Sequence, residues 1–254
     1  MDKVKSLAVT GKGGTGKTMI ATLMIKILAE NAKNKILAID ADSAMSLPYT
    51  LGMKVEKTVS EVRKGIIGKQ QLKRQMENGS MRAFMREIIS RGNGFDLLAM
   101  GRPEEPGCFC AVNDLLRYGI DTLIEDYDIT IIDGEAGPEQ LNRRVLKNID
   151  VLLVVSDMSV RSLETAGGIM KVAQDGENGV LVRRAGLILN RARNDKPDEE
   201  ILGKIGLDVW GRIPDDDTIN SYDRSGKPLL ELPDDSPCLE AVRQILKRIV
   251  PDML

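Results

Sequence analysis

The sequence has no histidine among its 254 residues, and aromatic residues make up only 3% of it. Without histidine the chain cannot build a His-ligated metal site, a Ser-His-Asp triad or a histidine pH switch. The shortage of aromatic side chains disfavours a stacking surface for single-stranded nucleic acid. The formal charge of −2 also argues against a protein that coats polyanions, so we expect no nucleic-acid partner.

Cysteines and long apolar runs are also scarce. Three cysteines are too few for a disulfide scaffold in a chain of this size. No apolar run approaches the roughly 18 residues that a membrane-spanning helix needs. A glycine-rich loop already begins at Gly11, which leaves no room for a signal peptide before the first strand. We therefore expect a cytoplasmic protein without a membrane span.

Short, nearly continuous apolar runs alternate with segments of helical periodicity. Such runs suit strands that are covered on both faces, and their alternation with helices predicts a mostly parallel sheet. Because there is no internal repeat or linker, we expect one α/β domain over residues 1–254. It should have roughly seven to eight strands, with helices on both faces of the sheet. The candidate strands are Ser6–Thr10, Lys35–Asp40, Phe95–Met100, Ile129–Asp133, Val151–Ser156, Ala185–Asn190 and Val209–Ile213.

One segment differs from the average composition. Lys54–Gly92 contains ten Lys and Arg against four acidic residues, which gives it a local charge of +6. A set of solvated helix faces or a docking surface for an acidic partner would explain this charge, and solvated faces are the more common case.

A phosphate-binding loop follows the first predicted strand. Residues 11–18 match the pattern GxxxxGK[ST] between a strand and a helix. The glycines let consecutive backbone N–H groups point at phosphate oxygens. We expect Lys17 to reach the β- and γ-phosphates and the Thr18 hydroxyl to ligate Mg²⁺. The predicted nucleotide-binding loop consists of Gly11, Lys12, Gly13, Gly14, Thr15, Gly16, Lys17 and Thr18.

Lys12 has no function in an ordinary loop of this kind. The sequence KGGTGKT resembles the deviant Walker A motif of the SIMIBI-class ATPases, which include MinD, ParA, nitrogenase iron protein and CooC-type proteins. The resemblance implies a P-loop NTPase that hydrolyses ATP as an ATP-dependent homodimer, with Lys12 crossing the interface to the partner's nucleotide. A cation supplied in this way would stabilise the transition state and couple hydrolysis to dimerisation.

Further polar residues follow predicted strands, at the sheet edge where ligands bind in open α/β folds. Asp133 is placed to hold a Mg²⁺-bound water, as a Walker B aspartate does. The resemblance implies that Asp42 positions or activates the attacking water, that Asp40 supports the Mg²⁺ region and that Gly137 senses the γ-phosphate. It also implies that Asn190 contacts adenine, donating to N7 and accepting from the N6 amino group. The base-side residues implied are Asn190, Arg191, Pro214 and Asp215.

Cys108 and Cys110 lie in a Gly/Pro-rich loop just before a predicted helix. A helix N-terminus lowers thiol pKa values and so favours thiolates. A C-x-C pair supplies two ligands and a tetrahedral thiolate site takes four, so two copies of the loop across a two-fold axis would complete it. Buried small hydrophobic residues and a strained redox disulfide are the alternatives for this pair. Cys238, at the start of the last predicted helix, is expected to be buried.

A wider set of motifs resembles one branch of these ATPases. KGGTGKT, GCFC after a GRP turn, DGEAG, SDMSVRSLETAG and LNR together resemble the CooC-type nickel-insertion accessory ATPases of carbon monoxide dehydrogenase, or the related factors for acetyl-CoA synthase. The resemblance implies Ni²⁺ or Zn²⁺ between Cys108 and Cys110 of both protomers. It also implies a homodimer induced by ATP or metal, with one of those nickel enzymes as client. It assigns no function to Lys54–Gly92.

Two other functions stay open from the sequence. One is a MinD- or ParA-like ATPase that acts on a membrane or DNA, with the amphipathic last helix as a membrane anchor, although packing on its own sheet is commoner. The other is an electron-transfer ATPase with an iron–sulfur cluster between its protomers, like nitrogenase iron protein, because four thiolates can bind a 4Fe–4S cluster.

Overall fold

The structure, a computed structural model, describes residues 3–61, 81–101, 120–136, 148–175, 181–192 and 199–254. Within these ranges strands and helices alternate, as the sequence predicts. The strands are β1 (Ser6–Gly11), β2 (Ile36–Asp40), β3 (Ser90–Arg91), β4 (Asp96–Ala99), β5 (Ile129–Ala136), β6 (Asn148–Ser156), β7 (Leu181–Ala192) and β8 (Val209–Pro214). The helices include α1 (Lys17–Ala29), α2 (Ser46–Thr50), α3 (Met81–Glu87), α4 (Val160–Asp175), α5 (Glu199–Ile205), α6 (Asp217–Ser225) and α7 (Pro237–Ile249), with 3₁₀ turns at Leu229–Glu231 and Pro251–Met253.

The eight strands form one sheet in the order β3-β4-β2-β5-β1-β6-β7-β8. All neighbouring strands are parallel except β3 and β4, which are antiparallel. Because β1 lies between β5 and β6, the phosphate-binding loop leaves from the middle of the sheet. The expected mostly parallel α/β sheet of this size is confirmed.

Helices cover both faces of the sheet. On one face, α1 and α7 pack with Leu7 and Val9 of β1 in a single core. On the other face, Ala8 of the same strand packs with Leu163 and Ile169 of α4. Successive side chains of a strand point to opposite faces, so a strand covered on both sides is apolar throughout. This arrangement explains the continuous apolar runs in the sequence.

Some strand boundaries differ from the predicted ones. β5 continues past the predicted end at Asp133 as far as Ala136, because Ala136 pairs with Gly11 beyond an irregularity in the β1–β5 register. β3 is not among the predicted strands, since Ser90–Arg91 is too short and too polar to produce an apolar pattern. The extension of β5 arises from pairing with the distant strand β1, whereas β3 arises from antiparallel pairing with β4 across a short turn.

A bulge in the edge strand β8 turns Trp210 towards the face covered by α7. The register with β7 shifts so that Val209 pairs with Leu187 and Gly211 with Ile188, which leaves Trp210 as the extra residue. Its ring lies over Gly186, where a Cβ would overlap it. The guanidinium carbons of Arg184 and Arg248 lie 5.3 and 5.7 Å from the ring centroid. Bulges commonly re-aim side chains in this way, and here the indole closes the edge of the core.

The last helix, α7, packs on its own sheet. It begins at Pro237 because the Ser236 Oγ accepts a hydrogen bond from the Leu239 N–H, and proline suits the first helical position. Its apolar face contacts β8 and α1. Among the residues that the structure describes, no helix is both long and apolar enough to cross a membrane. The buried residues of α7 are Cys238, Leu239, Val242, Ile245, Leu246 and Ile249.

Shortening a buried side chain of α7 should destabilise the protein strongly. Leu246 is fully buried, so Leu246→Ala should lower the free energy of unfolding by about 2–5 kcal/mol through lost burial and a residual cavity. Lys247→Ala, at an exposed neighbouring position, should change it by less than about 0.5 kcal/mol. Denaturant unfolding followed by circular dichroism measures both variants. Equal stability of the two would contradict the packing of α7 on the sheet.

Candidate nucleotide-binding site

The loop between β1 and α1 is tightly packed on its protein side and open on the other. A Cβ on Gly11 would overlap the Val155 carbonyl oxygen, and one on Gly16 would overlap the side-chain amide of Asn190. Beside Gly14, in contrast, there is open space. The glycines therefore allow the chain to pass close to β6 and β7 while the exposed backbone can approach a phosphate group.

Two lysines of the loop differ in their environments. The Lys12 carbonyl accepts hydrogen bonds from the Thr15 Oγ1 at 2.8 Å and from the Lys17 Nζ at 3.3 Å. Lys17 is buried, whereas Lys12 is half exposed. The Lys17 ammonium group thus lies within the loop, where phosphate oxygens would bind, and the Lys12 backbone stabilises the loop.

Two buried carboxyl groups lie side by side at the ends of β2 and β5. Asp40 and Asp133 pair in register, and both are 0% exposed. Neither carboxylate oxygen of Asp133 has a hydrogen-bond partner of good geometry among the described residues. Burial, together with the charge of Asp40, raises the pKa of Asp133 to about 7, although the nearby Thr18 hydroxyl and Lys17 lower it in part. A buried carboxyl group without a hydrogen-bond partner is available to bind a hydrated cation. Thr18 and Asp133 are the residues that would hold Mg²⁺.

Asp40 organises the loop that contains Asp42. Its Oδ1 accepts from the Asp42 N–H at 2.9 Å, and its Oδ2 accepts from the Leu47 N–H at 3.1 Å. Burial raises the pKa of Asp40 to about 6 in spite of these two hydrogen bonds. Between the two donors, Met45 has a φ of 53°, which a non-glycine residue adopts only when its surroundings impose it. Asp40 therefore shapes this loop, and Asp42 contributes to the wall of the cavity.

Asn190, at the end of β7, connects the base side of the cavity to the phosphate-binding loop. Its Nδ2 donates to the Thr15 carbonyl at 2.7 Å. Its Oδ1 is buried and has no hydrogen-bond partner in the part of the chain that the structure describes. This bond uses one of the two N–H groups of the Asn190 amide, so the second N–H and the Oδ1 keep the capacity to donate to N7 and to accept from the N6 amino group of adenine. The contact of Asn190 with adenine stays a prediction.

A cavity of about 600 Å³ lies over the loop, a volume within the range of small-molecule sites. One wall of this cavity was not predicted from the sequence. It is formed by Tyr49 of α2 and by Ile219, Asn220 and Asp223 of α6. These residues belong to no nucleotide-binding motif, so the sequence offered no signal for them beyond their helical spacing. The predicted site residues that line the cavity are Gly13, Gly14, Gly16, Lys17, Thr18, Asp42, Asn190, Arg191, Pro214 and Asp215.

Three predicted site residues, Gly137, Cys108 and Cys110, lie outside the described residues, and the interpretations attached to them stay predictions. Within the described ranges, no group of three or more Cys, Asp or Glu side chains is arranged to hold a metal ion.

Cys238 is buried, as the sequence predicts. Its Sγ donates to the Pro214 carbonyl at 3.3 Å, and burial raises the pKa of the thiol to about 12. A thiol in this state forms little thiolate, which suits a buried packing residue.

A parallel sheet, a glycine loop after its central strand and buried aspartates beside that loop define a P-loop nucleotide-binding protein. The model of the CobQ/CobB/MinD/ParA nucleotide binding domain matches residues 7–229 of the chain. The chain belongs to this family and is an ATPase of the MinD/ParA type, which confirms the resemblance at the level of the family.

Individual relatives agree with this assignment. The chain is 40% identical over 259 residues to an uncharacterized ATP-binding protein of Methanocaldococcus jannaschii, covering 96% of this chain and 98% of the relative. It is 27% identical over 242 residues to the carbon monoxide dehydrogenase accessory protein CooC of Rhodospirillum rubrum, covering 89% of each. The MinD cell division protein of Aquifex aeolicus has the same fold, with a TM-score of 0.73 at 19% identity over 98% of both chains.

Asp133→Asn should stabilise the Mg²⁺-free protein at alkaline pH while abolishing ATP hydrolysis. The pKa of Asp133 rises from about 4 in the unfolded chain to about 7 in the folded protein. Between these two pH values the folded protein binds more protons than the unfolded chain. The free energy of unfolding of the wild type therefore falls as the pH rises through this range. The free energy of unfolding of the wild type should fall by on the order of 2–4 kcal/mol over this range, whereas Asp133→Asn, which lacks the carboxylate, should show no such fall. Thermal unfolding in EDTA between pH 5 and 8 measures the difference between variant and wild type.

Asp235→Asn removes the same charge at an exposed position and serves as the control, with no pH-dependent gain expected. Added Mg²⁺ should reduce the advantage of Asp133→Asn over wild type. A difference between wild type and Asp133→Asn that does not change with pH would contradict the buried, unpartnered state of Asp133.

Proposed function

We propose that this ATPase is a maturation factor that binds a nickel ion between the cysteine pairs of an ATP-dependent homodimer and delivers it to a nickel enzyme, carbon monoxide dehydrogenase or acetyl-CoA synthase. The main support is the position of the Cys108–Cys110 pair in the chain, shortly after β4, whose carboxyl end lies beside Asp40 at the end of β2.

A hydrogen bond at the end of β4 fixes the point from which the chain continues towards Cys108. The Met100 N–H donates to the Asp40 carbonyl at 2.9 Å, so the chain leaves β4 next to the buried carboxyl pair. Gly101 then turns with a φ of 73°, packed against Thr58. Cys108 follows Gly101 by seven residues, which limits its distance from that turn to about 25 Å. The segment that carries the thiols therefore starts at the edge of the sheet formed by the carboxyl ends of the strands, within reach of that edge.

The chemistry of the thiolates supports a soft metal ion as cargo. The sequence has no histidine, and the described residues contain no other metal-binding cluster. Two C-x-C pairs would supply the four thiolates of a tetrahedral site, which suits Zn²⁺ and accepts Ni²⁺. We favour nickel because the relative at 27% identity is a carbon monoxide dehydrogenase accessory protein, and because this chain covers 89% of it.

The state of Lys12 supports a nucleotide-dependent dimer. Within its own loop Lys12 uses its carbonyl group, and its side chain is half exposed. In a symmetric dimer each Lys12 side chain would reach the nucleotide of the other protomer and stabilise the charge that develops at the γ-phosphate. Lys17 would bind the phosphates and Asp42 would orient the attacking water, while Mg²⁺ held by Thr18 and Asp133 would supply charge neutralisation.

One interface would thus contain both Lys12 and the thiolates. Hydrolysis would weaken the contacts that Lys12 makes across the interface, and the loss of those contacts would separate the two cysteine pairs. Binding of ATP and binding of metal would then strengthen each other, because each favours the dimer. Release of the ion to the client enzyme would follow hydrolysis.

Replacing both Cys108 and Cys110 with serine should remove nickel binding. With a nonhydrolysable ATP analogue, the wild-type protein should bind about half an ion per chain, because two chains share one four-thiolate site. The double variant should bind close to none. Equilibrium dialysis against Ni²⁺ and, separately, Zn²⁺ measures the stoichiometry. Cys238→Ala removes the buried thiol and should bind metal like wild type.

Three outcomes would contradict the proposed metal site. Unchanged metal binding in the double variant would show that the pair is not the ligand set. One ion per chain in a monomer would exclude a shared site. A brown, iron-containing protein from anaerobic preparations would favour an electron-transfer ATPase over a nickel-delivery factor.

Lys12→Ala should prevent ATP-dependent dimerisation and slow hydrolysis by about 10²–10³-fold, the effect of removing one group that stabilises transition-state charge. Sedimentation velocity with and without the ATP analogue measures the dimer, and phosphate release measures hydrolysis. Lys33→Ala changes an exposed lysine outside the site and should behave like wild type. A wild-type protein that stays monomeric with nucleotide and nickel would overturn the proposed function.

A further inference from the structure

Helix α6 forms a wall of the nucleotide cavity and is attached firmly at its N-terminal end. None of its residues is buried, although Ile219, Asn220 and Asp223 line the cavity. At the N-terminus, the Asp216 carboxylate accepts one hydrogen bond from a backbone N–H of α6 at 2.8 Å and another from the Ser236 Oγ at 3.0 Å. Because Ser236 also caps α7, this end of α6 is fixed to the core.

The C-terminal end of α6 contacts the segment that follows Asp42. Gly226, the left-handed C-cap of α6, lies against Tyr49 of α2, and a Cβ on Gly226 would come 2.5 Å from the Tyr49 Oη. Gly52, just after α2, packs against Pro228, and a Cβ there would come 2.7 Å from the Pro228 Cγ. Two glycines therefore let the α2 segment and the turn after α6 touch at two points.

The α2 segment is connected to the phosphate side of the cavity through Asp40. The two carboxylate oxygens of Asp40 bind the Asp42 N–H and the Leu47 N–H, so the Asp42 loop and α2 are held by one side chain. The Tyr49 side chain is 61% exposed and adds little to the core. Its hydroxyl contact with Gly226 therefore joins the Asp42 loop directly to the end of α6, beside the contact of Gly52 with Pro228 in the turn that follows.

We propose that Tyr49 is a positioning residue that transmits the conformation of the Asp42 loop to α6. A γ-phosphate at one end of the cavity would shift the loop and α2, Tyr49 would move with α2, and Gly226 would move the C-terminal end of α6 relative to its anchor at Asp216. Closure of α6 over the nucleoside would slow release of ATP more than release of ADP. The inference rests on the ATPase activity of the chain and is independent of the metal site.

Hydrogen exchange of residues 217–225 tests this connection. In wild type, a nonhydrolysable ATP analogue should protect these amides more than ADP does. Tyr49→Ala should remove most of this difference and lower the preference for the ATP analogue over ADP by about 5-fold or more, with little change in Tm. The comparison is repeated in Lys12→Ala, so that protection by a partner subunit does not contribute.

A matched pair of glycine substitutions separates the contact from backbone strain. Gly226→Ala adds a Cβ against the Tyr49 Oη at a φ of 68°, whereas Gly206→Ala adds one at a φ of 69° with nothing within 4 Å. Both should lower Tm, because alanine is strained at such a φ. Only Gly226→Ala should change the preference for the ATP analogue over ADP. Adding Tyr49→Phe to Gly226→Ala removes the hydroxyl that the new Cβ meets, so this double variant should regain the wild-type preference.

Three results would overturn the proposal. One is equal protection of α6 by ADP and the ATP analogue in wild type. Another is a Tyr49→Ala variant in which the ATP analogue protects residues 217–225 more than ADP does by the same amount as in wild type. The third is the same nucleotide preference in Gly226→Ala and Gly206→Ala. Because nucleotide binding is measured without nickel, each of these results is distinct from a failure of the nickel-delivery function.

Discussion

The buried carboxyl pair at the ends of β2 and β5 is the constraint around which the nucleotide site is arranged. Two adjacent carboxylates are costly in a buried site, and the chain treats them differently. Asp40 uses both oxygens to bind backbone N–H groups, whereas Asp133 has no such bonds within the described residues. One acid therefore fixes a loop, and the other retains its capacity for a cation. The asymmetry gives each residue a separate function.

The order of the strands explains why these groups meet. Parallel strands end at the same edge of a sheet, and β1 at the centre places its loop between the ends of β5 and β6. β2 and β4 are neighbours, so the Asp40 carbonyl binds the chain as it leaves β4 for the cysteine loop. The backbone of Asp40 is thus hydrogen-bonded to the start of the segment that leads to Cys108.

Local sequence patterns predicted the features that depend on local geometry. Glycines at fixed spacing identified the phosphate-binding loop, and apolar runs ending in Asp40, Asp133 and Asn190 identified the strands. Features that depend on distant contacts were not predictable in this way. One N–H of the Asn190 amide donates to the Thr15 carbonyl, and the contact of Tyr49 with Gly226 joins segments that are far apart in the chain.

The position of Trp210 has a practical consequence for spectroscopy. It is the single tryptophan of the chain, and it is stacked near two guanidinium groups at the outer strand β8 without lining the nucleotide cavity. Its fluorescence should therefore monitor the corner formed by β7, β8 and α7. A fluorescent nucleotide analogue would report on the cavity independently, so loss of ligand and loss of structure can be separated optically in one heated sample.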